Sequence, residues 1–310
     1  MTAPAGAVFY NNERKDPVIS TRGNLYSIYA MLIAMAMFSL MDAVMKLLSA
    51  RYPAMQVAAL RGLTSLPLVL LYVYWRGAFS TVFRVRWSLH LLRGVLGIGM
   101  LSLFAFGLRK LSLAEAYSIV FVAPAIITAL SVVLLKESVN APRWMAVAVG
   151  LAGVVVVLRP TGEGMLTVGG AALLGAAVCY AVSAITGRLL SRTDRSEHMV
   201  LWLMLMVSVG ASILAAPRWV QVDADDAFLL CALSVTGFLG QLAITEAFNK
   251  GEASSIAPFE YSALAWGLGL DYLLWSALPD RYTLIGAAII IGSGIYLVRH
   301  EQVHASAEHP

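Results

Sequence analysis

The chain has 310 residues, of which 59% are hydrophobic and 13% are charged, and its formal net charge is +4. This composition excludes an ordinary soluble domain, in which about a quarter of the residues are charged. The basic residues are scattered singly between apolar runs, which argues against nucleic-acid binding. Both cysteines, Cys179 and Cys231, lie in apolar runs without metal-ligand spacing, so no disulfide framework, metal site or cofactor is expected.

Apolar segments long enough to cross a bilayer follow one another along almost the whole chain. A membrane-spanning helix needs about 20 apolar residues, and its backbone polar groups must be satisfied internally. Breaks that contain charge, proline or glycine give ten predicted spans: 25–48, 54–75, 89–108, 112–135, 143–158, 168–190, 197–216, 226–249, 253–275 and 282–298. The sequence therefore predicts an all-α membrane protein whose first span is too long for a signal peptide and is retained.

Lysine and arginine are unevenly distributed between the two predicted faces of the membrane. Positively charged loops stay cytoplasmic during insertion. If residues 1–24 form a cytoplasmic tail, the cytoplasmic face holds 13 of these residues, and the other face holds 6. The cytoplasmic set is Arg14, Lys15, Arg22, Arg76, Arg84, Arg86, Lys136, Arg143, Arg188, Arg192, Arg195, Lys250 and Arg299; the other set is Arg51, Arg109, Lys110, Arg159, Arg218 and Arg281. Both tails, 1–24 and 299–310, are therefore predicted to be cytoplasmic, in a multi-pass protein of the cell (inner) membrane.

The two halves of the chain resemble each other when residues 25–158 are laid over residues 168–298. The first span ends in Lys46-Leu47-Leu48-Ser49 and the sixth in Arg188-Leu189-Leu190-Ser191, and further matches follow in the same order. Each half has five predicted spans, so the two repeats must be inverted relative to each other in the membrane. Inverted repeats commonly underlie alternating access to a site near the midplane.

Several short motifs recur within these repeats. The first repeat has Arg61 in its second span, Pro124 in its fourth, and Leu135-Lys136-Glu137 before its fifth. The second repeat has Ala257-Pro258-Phe259-Glu260-Tyr261 and, before its last span, Pro279-Asp280. With these motifs the chain resembles the drug/metabolite transporter superfamily with paired EamA repeats. The resemblance implies a carrier in which spans 1, 3, 4, 6, 8 and 9 surround a central cavity, spans 2 and 7 gate it, and spans 5 and 10 brace the back.

One position departs from the family pattern. Ala277 stands where the second repeat usually has a glutamate that matches Glu137, so a symmetric role for this glutamate is not expected. Among relatives, the chain looks most similar to exporters of amino acids, including the aromatic amino acid and paraquat exporter type. Carriers of S-adenosylmethionine and riboflavin also look similar and form the alternative, and a membrane scaffold without transport activity ranks third.

An enzyme is not expected, because the sequence has no recognisable catalytic group. The five histidines form no metal-binding cluster, and no glycine-rich ATP-binding loop is present. The expected partners are a small-molecule substrate and the lipid bilayer, with proton coupling left open and the oligomeric state predicted as a monomer or a weak homodimer.

Charged residues within the predicted spans are candidate binding or gating groups. A charge at the bilayer centre costs about 2.5 to 3.5 kcal/mol on insertion scales, so such residues are seldom incidental. Asp42 and Lys46 are four residues apart, which places them on one helix face. They are predicted either to pair with each other or to contact a zwitterionic substrate. Arg61 is predicted either to hold a carboxylate or to pair with Asp42. Arg93 begins the third span and is expected to reach towards the headgroups.

Two acidic residues lie on either side of the turn between spans 8 and 9. Glu246 and Glu260 are candidates for substrate binding, and Glu260, near mid-depth, is also a candidate for proton coupling. The alternative is that each carboxyl group bonds to a neighbouring helix or is neutralised by Lys250.

Two prolines and five aromatic residues complete the set of candidates. Pro124 and Pro258 each remove a backbone hydrogen bond in equivalent helices, so they are predicted to act as bends or hinges. The aromatic candidates for stacking on a solute are Phe38, Tyr180, Trp202, Tyr261 and Trp266. Ordinary packing is the alternative for each aromatic ring.

Overall fold

A computed structural model of the protein describes residues 21–108, 110–111, 113–160, 166–276 and 278–307. The α-helices are α1 (Thr21–Leu48), α2 (Ala54–Trp75), α3 (Trp87–Leu108), α4 (Leu113–Val120), α5 (Ala123–Leu130), α6 (Ala141–Leu158), α7 (Val168–Leu190), α8 (Ser196–Ala215), α9 (Ala227–Lys250), α10 (Ala253–Ile256), α11 (Ser262–Trp275) and α12 (Arg281–Ala307). Within the described ranges, nine helical spans are long and apolar enough to cross a membrane. The predicted all-α membrane fold is therefore confirmed.

The ninth predicted span is the exception to a simple count of ten continuous helices. Residues 253–275 form α10, then a 3₁₀ turn over Ala257–Tyr261, and then α11. Pro258 lacks a backbone N–H donor, and its ring clashes with the preceding turn of an α-helix, which explains the break. The fourth span is interrupted in a similar way between α4 and α5, just before Pro124, and ends in a π-helical turn.

The structure describes only part of the two predicted tails. Residues 1–20 lie outside the described residues, as do residues 308–310, Arg109 and Ala277. Residues 299–307, predicted as part of a tail, continue α12 without interruption. This segment contains neither proline nor glycine, so nothing in it ends the helix.

The packing of the helices follows the two-repeat symmetry. The repeat matches α1 with α7, α2 with α8, α3 with α9, α4 and α5 with α10 and α11, and α6 with α12. Correspondingly, α1 packs on α9 while α7 packs on α3, and α1 packs on α11 while α7 packs on α5. The helices α2 and α8 also pack on each other, as do α6 and α12. Since the members of each pair are matched by the repeat, exchanging the two repeats leaves these contacts unchanged. The two inverted repeats are thus interleaved, and each contributes to every major helix interface.

The molecule has two faces along the membrane normal, which we name by the chain ends. The terminal face is the one where α1 begins and α12 ends, and the opposite face is where α1 ends and α12 begins. The links 76–86, 136–140, 191–195 and 251–252 lie on the terminal face. That the terminal face is cytoplasmic remains a prediction from the charge distribution.

The interface between α6 and α12 brings two backbones into direct contact. A Cβ atom built on Gly286 would lie 2.7 Å from the carbonyl oxygen of Gly153 and 2.9 Å from the amide nitrogen of Val157. One built on Gly153 would lie 3.0 Å from the carbonyl oxygen of Gly286. Small residues allow helices to approach this closely in a membrane. This pair therefore depends on glycine at both positions.

We expect Gly286→Ala to destabilise the protein, because the added methyl group must push the two backbones apart. Overpacking of this kind costs about 1 to 3 kcal/mol, which should appear as a lower Tm of the detergent-solubilised protein. Gly292→Ala is the matched control, because it is on the same helix and a Cβ there meets nothing within 4 Å. Equal Tm values for the two variants would contradict the proposed backbone contact.

Candidate functional site

A cavity of about 380 Å³ lies between the two repeats. It is lined by α1, α2, α3, α7, α8 and α9, together with the broken fourth and ninth spans; α6 and α12 contribute none of the lining residues. The second and seventh spans, expected only as gates, also form part of the wall. Six methionines line the cavity: Met35, Met41, Met45, Met100, Met199 and Met204. Flexible, polarisable methionine side chains suit a mostly apolar ligand of irregular shape.

The cavity is accessible at one end and closed at the other. Towards the opposite face, Asp42 is exposed and Met45 is partly exposed. Towards the terminal face, the lining residues Gly187, Met199 and Phe248 are buried. The structure is therefore open to the opposite face and sealed on the terminal face.

The seal at the terminal face includes a buried arginine that holds helix ends together. Arg188 on α7 donates from Nη1 to the carbonyl oxygens of Phe248, at 3.2 Å, and Asn249, at 2.5 Å. Asn249 in turn donates from Nδ2 to Ser196 Oγ at 2.8 Å. Since carbonyls at a helix C-terminus lack partners within the helix, Arg188 caps α9 and links it to α7, while Asn249 links it to α8.

A second group of contacts surrounds the start of α10. The Glu137 carboxylate accepts hydrogen bonds from the backbone amides of Ala253, at 2.9 Å, and Ser254, at 3.0 Å. Glu137 belongs to the link between the fourth and fifth spans, so it caps a helix of the other repeat. An anionic side chain is favourable at a helix N-terminus. The motif glutamate of the first repeat is thus a tether between the repeats.

Arg143, at the start of α6, extends the same seal to the last helix. Its Nε donates to Glu301 Oε1 at 2.9 Å, and its Nη1 forms a short ion pair with Glu252 and contacts Ser254 Oγ at 3.2 Å. Arg143 and Glu301 are both buried. Charge-assisted contacts of this kind are stronger than neutral hydrogen bonds.

The link between α7 and α8 is held to α3 by Asp194. Its carboxylate accepts hydrogen bonds from the Arg86 amide at 3.0 Å, from Thr193 Oγ1 at 2.8 Å and from His90 Nε2 at 2.9 Å. Burial alone would raise the pKa of Asp194, but these hydrogen bonds outweigh burial and lower it below its usual value. Asp194 therefore favours the ionised form that keeps the link in place.

At the opposite face, two groups of charged contacts lie just outside the residues that line the cavity, and we call this region the rim. Lys46, predicted to pair with Asp42, instead forms a salt bridge with Asp271 at 3.1 Å between Nζ and Oδ1. Arg51 Nη1 lies 2.6 Å from Asp226 Oδ1, and the phenol of Tyr52 donates to the other oxygen of the same carboxylate at 2.6 Å.

Inside the cavity, charged residues are combined with aromatic rings. The guanidinium carbon of Arg61 lies 5.4 Å from the centre of the Phe38 ring, a distance at which a cation is attracted to the face of the ring. The Tyr180 hydroxyl donates to Glu260 Oε1 at 3.0 Å. Phe38 on α1 and Tyr180 on α7 occupy equivalent helices, and each contacts a charged residue of the wall.

Half of the predicted site residues line this cavity. They are Phe38, Asp42, Arg61, Pro124, Tyr180 and Glu260. The lining does not include Lys46, Trp202, Glu246, Pro258, Tyr261 or Trp266. The binding or gating roles of all twelve residues stay predictions.

The residues outside the cavity have other contacts. Trp202 donates from Nε1 to the carbonyl oxygen of Val82 at 2.9 Å, and its ring is 4.6 Å from that of Trp87. Glu246 pairs with Lys250 at 3.1 Å, which is the neutralised alternative considered for it. Trp266 is 47% exposed on the outer surface.

Tyr261 and Pro258 lie in the interface behind the cavity. Tyr261 is fully buried, and its ring occupies the space beside Gly150, where a Cβ atom would lie 2.4 Å from Tyr261 Cδ2. Pro258 is buried in the 3₁₀ turn Ala257–Tyr261, which ends with Tyr261. The turn thus directs Glu260 to the cavity and the adjacent Tyr261 to the α6 interface.

Arg93 is a cavity residue that the sequence analysis did not select. It was expected to reach the headgroups, but the structure turns it inward, where only 7% of it is exposed. Its place six residues into α3 is compatible with either direction. Only the packing of α3 against α7 and α8 settles which way the side chain points.

Two interleaved inverted repeats around a mostly apolar cavity with a few charged residues define a multi-pass membrane transporter of small molecules. The chain belongs to the EamA-like transporter family, whose model matches residues 25–159 and 167–299. The resemblance to the drug/metabolite transporter superfamily is thereby confirmed.

Curated proteins similar to this chain have transporter names. The chain is 26% identical over 278 residues to the S-adenosylmethionine uptake transporter of Rickettsia conorii, with 90% of this chain and 94% of that protein covered. It is 27% identical over 264 residues to the pseudopaline exporter CntI of Pseudomonas aeruginosa, covering 84% and 92%. It is 26% identical over 277 residues to the riboflavin transporter of Vibrio cholerae, covering 87% and 92%. All three are transporters of small metabolites.

The fold is also found among solved structures. One crystal structure superposes with a TM-score of 0.77, at 18% sequence identity, and covers 91% of this chain and 98% of its own. This likeness concerns the fold alone.

The one-sided opening of the cavity can be tested by cysteine labelling. With Cys179 and Cys231 replaced by alanine, we expect Met45→Cys to react faster with a water-soluble maleimide than Phe248→Cys. Both positions line the cavity, but Met45 is on the accessible side and Phe248 on the sealed side. Labelling after denaturation controls for intrinsic reactivity. Equal rates in the folded protein would contradict the one-sided opening.

Proposed function

We propose that this transporter exports amino acids or closely related metabolites across the cytoplasmic membrane. The observation that carries the proposal is the presence of both acidic and basic side chains on a mostly apolar cavity wall: Asp42, Glu260, Arg61 and Arg93. A molecule with a cationic group, an anionic group and an apolar side chain has a complementary partner for each part. The mainly apolar remainder of the wall accommodates the side chain.

Alternating access is the proposed mechanism. The cavity is open to the opposite face and sealed on the terminal face, and the two repeats have equivalent helix contacts on inversion. If the two repeats exchange conformations, the same cavity opens to the terminal face and closes at the rim. Pro124 and Pro258, at equivalent places in the two repeats, are the proposed bending points.

The proposed orientation places the terminal face in the cytoplasm. The excess of lysine and arginine in the terminal-face links supports it. In this orientation the structure faces outward, so a substrate leaves through the rim and the empty carrier then reopens inward. Glu260, a buried carboxylate in the wall, is the proposed site of proton coupling.

Uptake or exchange of a nucleoside-like metabolite is the second candidate function. The similarity to an S-adenosylmethionine uptake transporter and to a riboflavin transporter favours it. The six cavity methionines and the aromatic rings would also accommodate a planar heterocycle. The two candidates differ in the solute and in the direction of transport, while the fold and the cavity are common to both.

A counterflow assay in proteoliposomes separates the candidate substrates. We expect uptake of labelled phenylalanine or threonine into vesicles loaded with the same unlabelled solute, and a response to a pH gradient. Empty vesicles and vesicles with heat-denatured protein are the controls. Uptake of S-adenosylmethionine or riboflavin alone would overturn the amino-acid proposal in favour of the second candidate, and no exchange of any of the four would overturn both.

The role of the buried carboxylate is tested by a pair of conservative substitutions. We expect Glu260→Gln to reduce counterflow of the transported solute about 10-fold or more, because a hydrogen bond to a charged group contributes about 1.5 to 3 kcal/mol. Asp225→Asn is the matched control, since Asp225 is exposed and lies outside the cavity. Equal activity of the two variants would remove Glu260 from the site.

A further inference from the structure

Arg93 is a buried cation without the partners that such a group normally has. It is only 7% exposed, and its Nε and Nη1 atoms are buried without a hydrogen-bond partner in the part of the chain that the structure describes. A buried charge left unpaired is strongly destabilising, whereas a buried pair is tolerated. By contrast, Arg143, a buried arginine at the terminal face, has two carboxylate partners, Glu252 and Glu301.

The guanidinium group of Arg93 lies at the closed end of the cavity. A Cβ atom built on Gly187 of α7 would lie 3.2 Å from Nη2, 3.3 Å from Cζ and 3.5 Å from Nε of Arg93. Because three atoms of the group are nearly equidistant from this point, the guanidinium plane lies flat against α7. Glycine at position 187 leaves the space that this arrangement needs. Nε and Nη1 of Arg93, which lines the closed end of the cavity, are donors that no described protein group uses.

The wall beside Arg93 continues as a stripe along α7. Tyr180, Ser183, Ala184 and Gly187 all line the cavity, and their spacing places them on one helix face. Gly187 and Tyr180 are two turns apart, which is about 10 Å along the helix axis. A ligand held by Arg93 therefore has its anionic end at the sealed face and its body directed towards the Tyr180–Glu260 pair.

We propose that Arg93 is the anchoring site for a carboxylate of the transported solute, a refinement that rests on the proposed transport of amino acids or related metabolites. Arginine offers a planar fork of donors that binds a carboxylate bidentately. The carboxylates of Asp42 and Glu260 in the same cavity disfavour a multiply charged phosphate through like-charge repulsion. The solute class is thus a molecule with a single carboxylate and an apolar or cationic body.

The first test compares solutes that differ only at this carboxylate. In counterflow with the full-length wild-type protein, we expect phenylalanine to compete with labelled substrate about 10 to 100 times better than phenylalaninamide, which has no carboxylate. S-adenosylmethionine and its decarboxylated form make a second matched pair. In Arg93→Gln the preference should fall to about 1, and Arg93→Lys should retain part of it.

Stability measurements separate this role from a purely structural one. Without solute, Arg93→Gln should have a Tm equal to or above that of the wild type, because the substitution removes a buried unpaired charge. Arg218→Gln, the same change at an exposed position outside the cavity, is the control and should keep the wild-type preference. A solute that raises the Tm of the wild type should not raise that of Arg93→Gln.

The outcomes distinguish failure of this assignment from failure of the proposed function. If phenylalanine is exchanged but phenylalaninamide competes equally well, the Arg93 assignment is wrong and the transport proposal stands. The same conclusion follows if Arg93→Gln keeps the full preference. If riboflavin is the only solute exchanged, both proposals are overturned.

Discussion

The structure depends on one constraint, which is that a backbone polar group in lipid must be hydrogen-bonded within the protein. The long helices satisfy it by themselves, so the exceptions are informative. The 3₁₀ turn Ala257–Tyr261 is buried throughout, and it is next to the cavity that Glu260 lines. The break therefore occurs where the backbone is shielded from lipid and where an irregular path can direct one side chain to the cavity and its neighbour to the helix interface.

The two faces of the molecule have different kinds of charged contact. The terminal face is held by buried groups, with Arg188 on the carbonyls of α9 and Glu137 on the amides of α10. The rim of the cavity has exposed pairs such as Lys46 with Asp271, whose side chains are 60% and 47% exposed. Exposed ion pairs contribute little and are screened by salt. The Lys46–Asp271 pair is therefore a weak contact, whereas the buried carboxylate of Asp226, bonded to Arg51 and Tyr52, is a stronger one at the same face.

Hydrophobic segments predict most of this fold, because the length of a membrane helix is set by the bilayer and is visible in the sequence. The candidate site is harder to predict, because hydropathy indicates how deep a residue lies in the membrane but not which way its side chain points. Glu260 and Tyr261 are adjacent in sequence, yet only Glu260 reaches the cavity. Lys46 has a suitable partner four residues away but bonds to Asp271, on a helix more than 200 residues later in the sequence. The partner that each side chain contacts depends on which helices pack against each other.

The tether made by Glu137 also concerns how a duplicated protein acquires a direction. Two identical halves would give the inward and outward states equal energies, and each state would be populated half of the time. In the sequence, the second repeat has Ala277 where the first has Glu137, so the two halves differ in this carboxylate. Any such difference between the halves gives the two states of a proposed alternating carrier unequal energies, and the carrier then has a preferred resting state.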